Sequence, residues 1–223
     1  MIPGTGRSPG GNVTSRREFL SQSLIAATAC AAAPAAVLSA AGPVPPSERI
    51  NLGIIGTGGQ GIVNAKILLK EQDVQIVSVC DVNKVTDYSA FYFGGTAGRD
   101  PARQIIEELY GQQTKSGKYT GCRSYVDYHE MLEKETGLDA VLVATTDNLH
   151  ALASLAAIRK GKHVYCEKPL TKTVEEARRL AQAAHQAGVA TQMGNQGQAS
   201  EHARLLAEFV ADGAIGDVHE VHV

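Results

Sequence analysis

The chain has 223 residues, 43% of them apolar and 20% charged, with a formal charge of −2. That balance excludes a basic nucleic-acid-binding surface and a polybasic membrane patch, and it fits a soluble globular protein. Beyond Cys30 only Cys80, Cys122 and Cys166 remain, an odd number with no C-x-x-C pair. Free thiols are therefore expected, with neither a disulfide framework nor a structural zinc.

At the N-terminus "SRREFL", residues 15–20, sets Arg16 and Arg17 ahead of an Ala-rich stretch from Ser21 to Ala41. A polar, arginine-bearing start, a weakly apolar middle and the small residues Ser39, Ala40 and Ala41 describe a cleavable signal peptide. Twin arginines select the Tat type, whose cargo crosses the membrane already folded. Residues 1–41 are thus expected to be a Tat signal, with the Tat translocase as a partner and a periplasmic or other extracytoplasmic destination. An N-terminal tail carrying two chance arginines is the alternative. A spanning anchor needs about 20 strongly apolar residues, more transfer energy than Ala, Ser and Thr provide. Lipid attachment at Cys30 would call for a bulky aliphatic where Ala27 stands.

A Pro-rich linker, "GPVPPSE" (42–48), follows, and from there strand and helix patterns alternate. Strands are predicted over Arg49–Ile55, Val74–Cys80, Ser124–Val126, Asp139–Ala144, His163–Cys166 and Val189–Met193. Helices are predicted over Gln60–Lys70, with Ile62, Ala65, Ile67 and Leu69 inward, and over Pro101–Tyr110, Tyr128–Glu135, Ala151–Lys160, Val174–Ala187 and His202–Asp212. Thr173 with Glu176 three residues on suits a capping box for the helix that Gly188 ends. This alternation predicts an α/β fold, a doubly wound parallel sheet covered on both faces. Residues 84–121 are the least readable stretch. The final "GAIGDVHEVHV" reads as a new strand, which needs partners for its backbone groups. Residues 195–223 are therefore expected to begin a second, α+β domain that is incomplete here.

"GTGGQG" places Gly56, Gly58 and Gly61 in G-x-G-x-x-G spacing, with Thr57, Gly59 and Gln60 between them. A strand before it and a helix after it are the context this motif requires. Gly56 permits the tight turn, Gly58 lets backbone approach a pyrophosphate, and Gly61 lets the helix pack on the strand. The helix N-terminus then faces the phosphates with its N–H groups and about half a positive charge. Asp81 ends the second strand 20 residues after Gly61. A carboxylate there accepts from ribose hydroxyls and repels a 2′-phosphate, favouring NAD over NADP; Lys84 nearby softens that preference. The competing reading of Asp81 is a turn-forming residue after a strand.

"HVYCEKPLTKT" puts Glu167, Lys168 and Pro169 at the C-terminal end of a strand, the edge that lines the ligand crevice of open α/β sheets. A lysine there can hold a substrate hydroxyl and, once desolvated, move its proton. The competing reading is a solvated loop lysine paired with Glu167. The histidines offer no metal site: His219 and His222 fall on opposite faces of the expected strand, and His129, His163, His185 and His202 sit singly.

"GIIGTGGQG", "CDVN", "VLVATTDNLHA" and "EKPL" together resemble the Gfo/Idh/MocA oxidoreductases, which include glucose-fructose oxidoreductase and inositol dehydrogenase. "QMGNQGQ" and "GAIGDV" look like that family's passage into its C-terminal domain, so the resemblance covers Arg49 to Val223. It implies a Rossmann NAD(P)-binding domain over residues 49–194. It also implies a catalytic set of Lys168, Glu167 and His150, with Lys168 at the substrate and nicotinamide end and Glu167 helping to position it. Thr145, Thr146 and Asn148 would lie beside the nicotinamide ribose, and Asn195 and Gln196 would approach the nicotinamide or substrate. Where family members often carry Pro and aromatic residues, this chain has Thr146, Asn148 and Leu149, although His150 keeps its place. The family's catalytic Asp and His lie beyond Val223, so the chain as given is expected to bind cofactor without turning over.

The leading expectation is an NAD-dependent oxidoreductase acting on a sugar or cyclic polyol, exported folded with its cofactor tightly held. An NAD-dependent glycosidase on the same scaffold and a non-catalytic nucleotide-binding module are the rivals. The oligomeric state stays open, a homo-oligomer included.

Overall fold

The computed structural model describes residues 44–90 and 94–222. The expected signal segment, residues 1–41, lies outside them, as does Cys30. Among the described residues no helix is long and apolar enough to cross a membrane.

Six parallel strands form the central sheet: β1 (Ile50–Ile55), β2 (Val74–Cys80), β5 (Arg123–Tyr125), β6 (Ala140–Val143), β7 (His163–Glu167) and β8 (Thr191–Gly194). Their order is β5-β2-β1-β6-β7-β8, and every ladder is parallel. The chain runs outward from β1 through β2 to β5, then crosses back to β6 beside β1. The order therefore reverses between β1 and β6, the switch point at which doubly wound sheets open a crevice. The inner strands are nearly continuous apolar runs, as a sheet buried on both faces requires. Successive residues of β1 feed opposite layers. Ile55 packs with Met131, Val143 and Ile158, whereas Ile54 packs with Ile62, Ile76 and Ile106.

Helices α1 (Gly59–Leu68), α2 (Arg99–Gln112), α3 (Tyr128–Lys134), α4 (Asp147–Arg159) and α5 (Val174–Ala187) cover the faces. The capping box of α5 is complete. Thr173 Oγ1 accepts from the Glu176 N–H at 3.2 Å, and Glu176 Oε2 accepts from the Thr173 N–H at 3.0 Å. Gly188 closes the helix in the left-handed conformation. In α1, Ile62, Ala65 and the capping Leu69 are buried, but Ile67 is 51% exposed. At 100° per residue Ile67 lies far round the helix from Ile62, so the inward expectation for it was wrong.

Three further differences bear on the site. Helix α4 begins at Asp147, four residues before the predicted start, with Thr146 as its N-cap. Strand β7 extends to Glu167, and β8 runs one residue past its expected end to Gly194. The stretch 84–121 contains a short antiparallel hairpin, β3 (Thr86–Asp87) and β4 (Thr96–Ala97), which the sequence did not suggest.

After β8 come a 3₁₀ turn (Gln196–Ala199) and α6 (Glu201–Ala211). The strand expected in "GAIGDVHEVHV" does not form among the described residues, and residues 212–222 are exposed without regular structure. That segment is hydrogen-bonded to no sheet edge, so nothing in the described fold would hold it extended. The opposite-face argument for His219 and His222 lapses with it.

Candidate functional site

The turn after β1 is built by close approach. Gly56 has φ +91°, and a Cβ there would stand 2.5 Å from the Ala144 carbonyl oxygen. A Cβ on Gly61 would fall onto the Gly56 carbonyl oxygen, inside any permitted contact, so α1 can start where it does only with glycine at that position. Gly58 differs: its φ is −68°, and the nearest atom to its missing Cβ is the Tyr88 hydroxyl at 3.2 Å. It opens instead onto a cleft of about 670 Å³ at the switch point. Gly56, Gly58, Gly59 and Gln60 form one wall, Ala144 to Asp147 with Leu149 and His150 another, and Glu167 with Lys168 the end. Thr57 is fully buried and absent from that lining; it serves the site through its N–H.

That N–H donates to Asp81 Oδ2 at 2.7 Å, while Asp81 Oδ1 accepts from the Asn83 N–H at 2.8 Å. The carboxylate is thus fixed at the cleft mouth beside the glycine turn, with lone pairs left for hydroxyl donors. Lys84 pairs with Asp100 at 3.8 Å, which turns its charge toward a neighbouring carboxylate. The lining also holds Asp127 and Asp147, and its cation is Lys168. Positive potential for a phosphate comes therefore from the N-terminus of α1 rather than from side chains. Burial, then the Asp81 charge, pushes the Cys80 thiol in the lining up to about 12, so it stays protonated at physiological pH.

Glu167 is 5% exposed. Its Oε1 accepts from Asn64 Nδ2 at 2.6 Å and from Gln196 Nε2 at 2.7 Å, and Asn64 Oδ1 accepts from Gln60 Nε2 at 3.0 Å. A polar chain thus runs from the glycine turn through α1 to the end of β7 and on to the segment after β8. Gly194 pairs with Glu167 in the ladder, and a Cβ there would stand 2.7 Å from Glu167 Oε2. The buried carboxylate is accommodated because its neighbour has no side chain. Glu167 makes no ion pair with Lys168; among the described residues the exposed Lys168 ammonium has no hydrogen-bond or ion-pair partner.

His150 is 1% exposed. Because α4 starts early, the ring lies in its first turn and reaches back toward the β6 turn. Nδ1 is 2.6 Å from the Pro169 carbonyl oxygen and Nε2 is 3.1 Å from that of Thr145. Both partners are carbonyl oxygens that can only accept, so a neutral ring donates to one of them according to its tautomer and the other is a close contact. His150 ties the Glu-Lys-Pro turn to the β6–α4 turn, and its nitrogens are engaged by main chain rather than presented to the cleft. Thr145 and Thr146 line the cleft; Asn148 and Asn195 are exposed and do not.

Sequence reasoning missed Tyr88, Val126, Asp127 and Tyr128 in the lining, and Asn64 behind it. Val126 and Asp127 follow β5, so the rule that strand C-termini line the crevice could have found them. Nothing local marks Tyr88 or Asn64. Among the described residues no group of three or more His, Cys, Asp or Glu could hold a metal ion.

Residues 50–195 match the model of an oxidoreductase family with an NAD-binding Rossmann fold, Gfo/Idh/MocA. The chain belongs to that family. It is 26% identical over 174 residues to a myo-inositol 2-dehydrogenase from Thermotoga maritima, covering 78% of this chain and 44% of that protein. It is 32% identical over 152 residues to a glycosyl hydrolase family 109 protein from Stenotrophomonas maltophilia, covering 68% of this chain and 29% of that protein. Its fold matches the crystal structure of scyllo-inositol dehydrogenase from Lactobacillus casei, which holds NAD(H) and scyllo-inositol. The TM-score is 0.56 at 22% identity, over 76% of this chain and 43% of that one. The chain thus spans less than half the length of these relatives. The backbone wall left by Gly58, the fixed Asp81 carboxylate and the open N-terminus of α1 fit the NAD that the family fold binds.

Proposed function

We propose that this Gfo/Idh/MocA chain is the cofactor-binding part of an NAD-dependent oxidoreductase acting on a sugar or cyclic polyol. The observation that carries the reading is the meeting of Lys168 with the glycine turn and Asp81 in one cleft at the switch point. Gly58 and the N–H groups opening α1 would hold the pyrophosphate, Asp81 the adenine ribose, and Thr145 and Thr146 the second ribose. When bound, NAD accepts or donates a hydride. Lys168 holds the substrate hydroxyl and takes or returns its proton at Nζ. Its exposure among the described residues means that the desolvation this role calls for comes with substrate. Glu167 and His150 act as positioning residues that fix the turn carrying Lys168. In the full-length protein, Lys168→Ala is expected to abolish NAD reduction by a cyclic polyol such as inositol while leaving NAD binding within about threefold. Retained turnover would remove Lys168 from this role.

The glycosyl hydrolase relative supports a second reading, transient oxidation of a glycoside to aid its cleavage. Release of the aryl alcohol from aryl glycosides without added oxidant would favour it.

Residues 1–41 we read as a Tat signal, which would let the protein fold around NAD before export. Retention outside the cytoplasm then requires binding on the order of nanomolar, about −12 kcal/mol. An exported, purified protein free of NAD would refute this.

A further inference from the structure

The ends of β2 and β5 leave the sheet side by side. Cys80 pairs with Tyr125 at the last step of their ladder, and the Asp81 N–H donates to the Tyr125 carbonyl at 3.1 Å. The residues that follow, Val82 on one strand end and Val126 to Tyr128 on the other, line the outer part of the cleft. Val82 and Val126 are exposed, apolar side chains at the mouth of a groove. The glycine turn follows β1, which lies on the inner side of β2. A dinucleotide with its pyrophosphate at that turn and a ribose at Asp81 therefore places its base further out, over these residues.

Asp127 is the charged group among them. It caps α3, its Oδ1 accepting from the His129 N–H at 2.8 Å. That bond uses one of about four acceptor positions on the carboxylate, and among the described residues Oδ2 has no hydrogen-bond or ion-pair partner. The charge is felt inside the cleft. Burial first, then Asp81, then Asp127 raises the Cys80 thiol, and burial followed by Asp127 raises the Tyr128 hydroxyl. Capping needs one oxygen, so the second is left for a donor in the groove. Adenine joined to ribose carries one donor group, its 6-amino.

We propose that Asp127 Oδ2 accepts a hydrogen bond from the 6-amino group of the adenine and so selects adenine over a 6-oxopurine. This rests on the dinucleotide reading of the cleft. A hydrogen bond onto a charged acceptor outweighs a neutral one. A 6-oxo group would instead set a carbonyl oxygen against the carboxylate, with neither able to donate.

The test titrates NAD and its 6-oxo analogue, nicotinamide hypoxanthine dinucleotide, calorimetrically into the full chain and into two variants. Asp127→Asn and Asp127→Ser both keep a capping side chain, so unfolding should be little changed. In the first an amide nitrogen, a donor, replaces Oδ2 while the amide oxygen keeps the cap; in the second Oδ2 is removed. The wild-type chain is expected to bind NAD at least about tenfold more tightly than the analogue, about 1.4 kcal/mol, and both variants to lose that preference. Equal wild-type affinity for the two ligands overturns the assignment, as does a preference that survives in either variant. A wild-type chain that binds neither ligand is a different outcome. It defeats the dinucleotide reading itself, and the Asp127 assignment with it.

Discussion

The turn after β1 and the segment after β8 occupy opposite ends of the structural scale. In the first, Gly56 and Gly61 lie so close to neighbouring backbone that an added methyl at either would collide with a carbonyl oxygen. In the second, Leu206 and Phe209 on α6, with Ile215 and Val221 beyond it, are exposed. The lesson is that a motif fixed by close backbone approach specifies its own geometry, whereas apolar residues specify a fold only with something to pack against.

Substitutions can break or sharpen that contrast. The largest effect is expected from Gly61→Ala. The clash is with the Gly56 backbone, which cannot swing aside, so α1 must move and stability should fall by about 3 kcal/mol, read by denaturant unfolding. Alkaline titration should come next. Burial raises Cys80 and Cys122 to about 12 and Cys166 to about 11, while burial and then the Glu135 hydrogen bond raise Tyr125 to about 12. Each group keeps its proton in the folded chain at a pH where the unfolded chain has lost it. Their contribution is therefore fully present below about pH 9 and is lost as pH rises through 9 to 12. Unfolding midpoints measured from pH 8 to 12 should fall steadily over that window.

Asn64→Leu should follow in size. It withdraws one of the two donors to the buried Glu167 carboxylate, at a cost of about 2 kcal/mol. NAD binding should weaken with it, because the same chain of amides reaches Gln60 at the glycine turn. The smallest effect should be that of Phe209→Ser on exposed α6, within about 0.5 kcal/mol. A loss several times larger would mean that α6 is packed after all, and the contrast drawn above would fail.

The sequence made the sheet legible because its signals are local and repeated: apolar runs, a glycine spacing, a capping box at Thr173 and Glu176. It placed Asp81 and Lys168 at strand ends, and both do line the cleft. What it could not show depends on long-range register. Asn64 meets Glu167 across 103 positions, and Gly194 is a glycine because the ladder sets it beside that carboxylate. Glu167 next to Lys168 in sequence suggested an ion pair, but adjacent strand-end residues point apart, and the carboxylate turns inward to amides instead. Likewise a helix start displaced by four residues changed how His150 is used.

Calorimetric titration of NAD into the wild-type chain and into Gly58→Ala tests the phosphate-cradle reading most directly. Gly58 has ordinary backbone angles, and its Cβ would touch only the end of the Tyr88 side chain, so the variant should unfold like the wild type. The account predicts saturable one-to-one binding at about micromolar Kd or tighter, weakened at least about tenfold in the variant. A folded wild-type chain that takes up no NAD, or a Gly58→Ala chain that binds it equally well, would contradict it.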